Sequence, residues 1–175
     1  MSKLTNQKLL FAQVQLDACA EILHQAQTPR EHLLAQSHAE ACVLHLMQAY
    51  RCFLDEISGA YRLQDLVLPS GLGAYLLPAY VDACLKRDVI SPEFNYLYEL
   101  SKDPASCLSV LVLLFEQQCQ VPVAETKAHD HSEQRITLQR SEAQDPLLTL
   151  LDRLVWLLPA LRAAIAHCRQ TLQEY

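Results

Sequence analysis

Histidines and carboxylates at helical spacing are the residues with which this sequence could do chemistry. His38, His45 and Glu56 are separated by seven and eleven positions, so on a helix they project within about 20° of one another. Imidazoles beside a carboxylate are ordinary ligands of divalent metals, notably inside helical bundles. The rise argues against one shared ion, because Glu56 lies roughly 27 Å along the axis from His38, and His45 roughly 10 Å. Cys42, Ala49, Cys52 and Phe53 flank the line. It reads as a polar row of unknown role in semi-apolar packing, and neither a metal nor another cofactor is assigned to it.

Three further patterns carry chemistry elsewhere. Glu21-Ile-Leu-His24 has the Glu-x-x-His spacing of ferritin-like di-iron bundles, but no second such element follows, and the pair falls on the side of its helix turned to solvent. His129-Asp-His131 sits in a polar stretch without a third ligand nearby and reads as a solubilising loop. Arg162-Ala-Ala-Ile-Ala-His167 resembles the Arg-x4-His element of the HEPN nucleotide-binding and ribonuclease family. The resemblance covers six residues, and Ala163 stands where that family commonly has a polar residue. It implies a HEPN-like ribonuclease or nucleotide-binding protein as the runner-up function. No Gly-rich phosphate loop, G-x-S-x-G elbow or H-E-x-x-H occurs, so no catalytic residue is assigned.

Charge and composition narrow the class. The net charge is −6 at pH 7, which gives no general field for phosphates or anionic lipid and disfavours nucleic acid as a partner. Seven cysteines occur as an odd set with no CxxC pair, the pattern of small buried hydrophobes in a reducing, cytoplasmic setting. The opening MSKLTNQKLLFAQ lacks the apolar run and cleavage site of an export signal. No apolar stretch is long enough to span a bilayer comfortably, so no membrane contact is expected.

The elements that must position these residues are helices. With 51% hydrophobic residues over 175 positions, the chain can bury a single generous core. Thr28-Pro29, Ser91-Pro92, Asp103-Pro104 and Asp145-Pro146 each place a capping oxygen before a proline, the signature of a helix start. Helices are expected over about 3–27, 29–58 (ended by Gly59), 72–88 (kinked at Pro78), 92–102, 104–120 and from 146 onward. Residues 121–144 read as one long polar, flexible loop. The fold class is therefore all-α: an up-and-down helical bundle of about five to six helices forming one domain over 1–175.

The last helix carries the firmest periodicity. Leu147, Leu151, Leu154, Leu158, Leu161, Ile165, Cys168 and Leu172 keep a four-three spacing that forms one bundle seam. The first helix shows two stripes, Leu9, Leu16, Leu23 and Leu4, Phe11, Ala18, Ile22, which predict two neighbours. Trp156, Ala160, Ala163 and His167 lie opposite the leucine seam. A tryptophan outside the seam needs a cover, and small residues beside it permit close approach of a second helix. The expected function is thus a non-enzymatic module that binds another protein or itself, with a homodimer as one form; a metal-binding bundle is the third reading.

TNQKLLFAQ (5–13) and HLMQAYRCFLDEISGAYRL (45–63) resemble a family of small uncharacterised proteins from Pseudomonas-type gammaproteobacteria. The resemblance implies a bacterial, cytoplasmic helical protein and no activity.

Overall fold

A computed structural model describes residues 3–63, 77–120 and 145–174. Its described residues form six helices and no strand: α1 (Lys3–Gln25), α2 (Pro29–Ala60), α3 (Leu77–Lys86), α4 (Pro92–Lys102), α5 (Cys107–Cys119) and α6 (Pro146–Glu174). The expected loop 121–144, with His129 and His131, lies outside them, as does the first part of the expected 72–88 helix. No described helix is long and apolar enough to cross a membrane.

Capping chemistry sets the boundaries. Thr28 and Glu31 close a full capping box at the start of α2: the threonine hydroxyl accepts the Glu31 N–H, and the Glu31 carboxylate accepts the N–H groups of Thr28 and Gln27. Ser91 Oγ accepts from Phe94 N ahead of Pro92, and Asp145 Oδ1 accepts from Leu147 N ahead of Pro146.

Asp103-Pro104 does not start a helix. Asp103 Oδ1 takes the Ala105 N–H at 2.9 Å and its carbonyl takes Ser106 N, which folds 103–106 into a turn. Ser106 is the cap of α5 instead. Pro78 stands second in the described part of α3, and the expected kink there falls against residues 71–76, outside the described residues. The proline inside a helix is Pro159, in α6.

Gly59 does not end α2. The helix continues to Ala60, and Arg62 takes the left-handed conformation (φ 54°), with Leu63 N donating to Ser58 O and Arg62 N to Gly59 O, the Schellman pattern that normally selects glycine. α3 ends the same way at Asp88 (φ 53°). Arg87 ties the two ends together by donating to the Arg62 carbonyl at 3.0 Å.

α1 and α2 form an antiparallel hairpin, and α6 packs against both while running in the same sense as α2. α5 packs on α2, α4 and α6; α3 on α4 and α2. The α6 seam is the spine of one core: Leu154, Leu158, Leu161, Ile165 and Cys168 are buried, and Leu147, Leu151 and Leu172 are partly so. Phe53, Leu54, Ile57, Leu108 and Leu111 fill the space facing it.

The first helix has the two expected neighbours, α2 and α6, but does not pack through two stripes. One strip, Thr5, Leu9, Ala12, Leu16 and Cys19, is buried and serves both α2 and α6. From the second stripe, Leu4 and Phe11 stay exposed.

Candidate functional site

The row His38, His45 and Glu56 on α2 faces α1, and α1 supplies a partner for each. His38 Nδ1 donates to Gln15 Oε1 at 2.6 Å. The His45 ring packs against Phe11, centroids 5.5 Å apart, with Nδ1 buried and unpartnered among the described residues. Glu56 accepts from Thr5 Oγ1 at 3.4 Å and from Arg169 of α6 at 2.9 Å. The row is thus the polar line of a helix–helix seam. No group of three or more His, Cys, Asp or Glu side chains that could hold a metal occurs among the described residues. Glu21 and His24 are both exposed.

Arg169 knits three helices. Its Nη2 binds Glu56, its Nη1 binds Asn6 Oδ1 at 2.9 Å, and its guanidinium lies 5.8 Å from the Phe53 ring. Only 14% of the arginine and 13% of the glutamate side chain is open to water. Such a pair is strongly hurt by loss of one partner, because the other charge stays desolvated. Sequence spacing gives a hint of it: no carboxylate stands three or four residues from Arg169 on its own helix, so its partner had to come from elsewhere.

Arg162 and His167 part company. Arg162 reaches α1, where Nη2 donates to the Leu9 carbonyl at 3.4 Å. His167 turns to α4, its ring 4.6 Å from that of Tyr96. They stand on opposite flanks of α6, and the chain does not bring them to one groove.

On the His167 flank, Trp156 is 47% exposed. Ala163 is exposed beside it and Ala160 is half-buried against the core. On the Arg162 flank, a groove of about 480 Å³ runs between α1 and α6, lined among others by Asn6, Leu9, Leu10, Arg162, Ile165 and Arg169.

A second buried polar cluster sits where α2 hands over to α4. Glu93, 1% exposed, accepts from Tyr61 Oη at 2.7 Å and Ser91 Oγ at 3.0 Å. Burial and the hydrogen bond to this carboxylate push the Tyr61 hydroxyl up to about 12. Burial likewise holds the Cys42 and Cys168 thiols up to about 12, far from the lowered values that make a cysteine reactive. These groups close the fold; their chemistry is that of the neutral tyrosine and thiol.

No curated protein and no solved structure matches the chain. A family model described as a family of unknown function (DUF6586) matches residues 1–175. The chain therefore belongs to that family, a family of unknown function whose member described here is an all-helical bundle.

Proposed function

We propose that the protein is a non-enzymatic, self-associating interaction module, and that the outward face of α6 around Trp156 is a contact surface. The observation that carries the reading is the exposure of Trp156: the one tryptophan in the chain is left about half open. Tryptophan is the residue type most enriched at the energetic centres of protein contacts. Ala160 and Ala163 leave room for a second helix to approach, and His167, held by Tyr96, offers a fixed rim. The histidine row supports the same reading, because its members are engaged with α1 in the seam of the hairpin.

Light scattering and fluorescence test it together. Trp156→Ala should lower the mass of the assembly while far-UV circular dichroism stays helical. In the wild type, dilution should shift the emission of this single tryptophan, excited selectively, to the red and open it to acrylamide quenching. An unchanged mass, with the same quenching at every concentration, overturns the proposal.

A further inference from the structure

The flank of α6 away from Trp156 carries a different surface. Along α1, Leu10 and Val14 are 58% and 54% exposed, and Asp17 and Glu21 follow them, also exposed. Their four-three-four spacing sets all four in one outward stripe. Beside this stripe runs α6. The bond from Arg162 to the Leu9 carbonyl fixes the guanidinium next to Leu9 and Leu10. Val155, 56% exposed, stands seven residues before Arg162 and so projects along the same line of α6.

The resulting face is polarised. At one end is the groove with Arg162 and Arg169, and none of its lining residues is a carboxylate. Leu10 lies beside Arg162 at this end, Val14 lies in the middle, and Val155, seven residues before Arg162 on the antiparallel α6, lies at the other end with Asp17 and Glu21. Arg169 is spent on Glu56, but the charges of Arg162 and Asp17 are weakly answered within the chain. Arg162 makes one long bond to a neutral carbonyl, and Asp17 accepts from the neutral Gln13 amide at 2.9 Å.

This arrangement complements itself. From the level of Leu9 to Asp17 is eight residues, about 12 Å along α1, and Val14 stands near the midpoint. A two-fold axis through Val14, perpendicular to the helix, lays α1 antiparallel on its copy. Val14 then meets its copy, each Leu10 comes opposite the copy's Val155, and each Arg162 meets the copy's Asp17. Two-fold symmetry makes every such contact twice. We infer that the α1/α6 face is an isologous contact whose occupant is a second copy of this chain, held by paired Arg162–Asp17 contacts around Leu10, Val14 and Val155. It rests on the reading of the chain as self-associating but uses a surface separate from Trp156.

Charge reversal provides the test, and both residues are exposed enough to change without touching the core. Arg162→Glu and Asp17→Arg should each weaken association by roughly a hundredfold, since each places two like-charged contacts in the interface. The double variant Arg162→Glu/Asp17→Arg restores opposite charges and should recover most of the wild-type mass in light scattering. Single variants that associate like the wild type overturn the inference, and so does a double variant no better than the singles. Trp156→Ala reports on the other flank. If it alone lowers the mass, the Trp156 face stands and this one falls; if only the charge variants do, the α1/α6 face stands and the Trp156 face falls.

Discussion

Replacing Arg169 by methionine removes the guanidinium while keeping an unbranched apolar stem. It leaves the Glu56 carboxylate, 13% exposed, with only a 3.4 Å bond from Thr5, and it frees Asn6 Oδ1. Breaking a fully buried pair in this way costs about 3–5 kcal/mol. The remaining solvent access and the retained stem place this pair at the low end, about 3 kcal/mol, equivalent to a fall in Tm of roughly 6–12 °C for a chain of this size. Glu56→Gln in the Arg169→Met background removes the stranded charge, keeps an acceptor for Thr5, and should return about 2 kcal/mol. Urea unfolding followed by far-UV circular dichroism, run as a double-mutant cycle, gives the coupling directly. If Arg169→Met costs less than about 1 kcal/mol, the pair behaves as a solvated surface bridge, and the claim that it fastens α1, α2 and α6 together is wrong.

Other outcomes follow from capping and burial. Thr28→Ala, which opens the capping box of α2, should cost about 1 kcal/mol in the same unfolding experiment. The Glu31 carboxyl is held below the ordinary glutamate range by the backbone N–H groups of Gln27 and Thr28. Its stabilisation is therefore complete above the unfolded value of about 4.3 and is lost as pH falls through the lowered folded value. Glu31→Gln should flatten that part of an acid titration, and an unaltered acid limb would contradict the assignment. In thiol labelling of the native protein, exposed Cys119 should react first, and buried Cys42 and Cys168 only as fast as the fold opens; prompt modification of Cys42 would contradict its burial.

The local rules read from the sequence carry over where a single turn decides the outcome. Ser91-Pro92 and Asp145-Pro146 start helices because the cap and the proline act within three residues. Asp103-Pro104 has the same signature and folds as a turn, because its carboxylate finds the Ala105 N–H and Ser106 offers a competing cap. Arg62 in a left-handed position has no local signal; the buried Leu63 behind it draws the chain round. The seam of α6 is legible because its period runs unbroken for about seven turns. The role of the His38–His45–Glu56 row is not. Its partners Gln15, Phe11 and Thr5 lie 23 to 51 positions away, and spacing along one helix cannot name them. Periodicity also over-reads α1: two apolar stripes are present, but its two neighbouring helices meet one buried strip, Thr5, Leu9, Ala12, Leu16 and Cys19, and Leu4 and Phe11 of the second stripe are left outside.

The bonds from Arg169 to Asn6 and from Arg162 to Leu9 close loops of 163 and 153 positions. Contacts so distant form late, since a long stretch of chain loses its freedom before they return anything. During translation the α1–α2 hairpin can assemble from local contacts as it leaves the ribosome, but the side of it that receives α6 stays bare until α6 has been made. Leu9, Leu16 and Phe53 then face water or a chaperone for the time needed to synthesise about a hundred residues, several seconds at ordinary elongation rates. Native-state hydrogen exchange and the order of protection in a refolding pulse should show the hairpin amides slowing first and the α6 amides last.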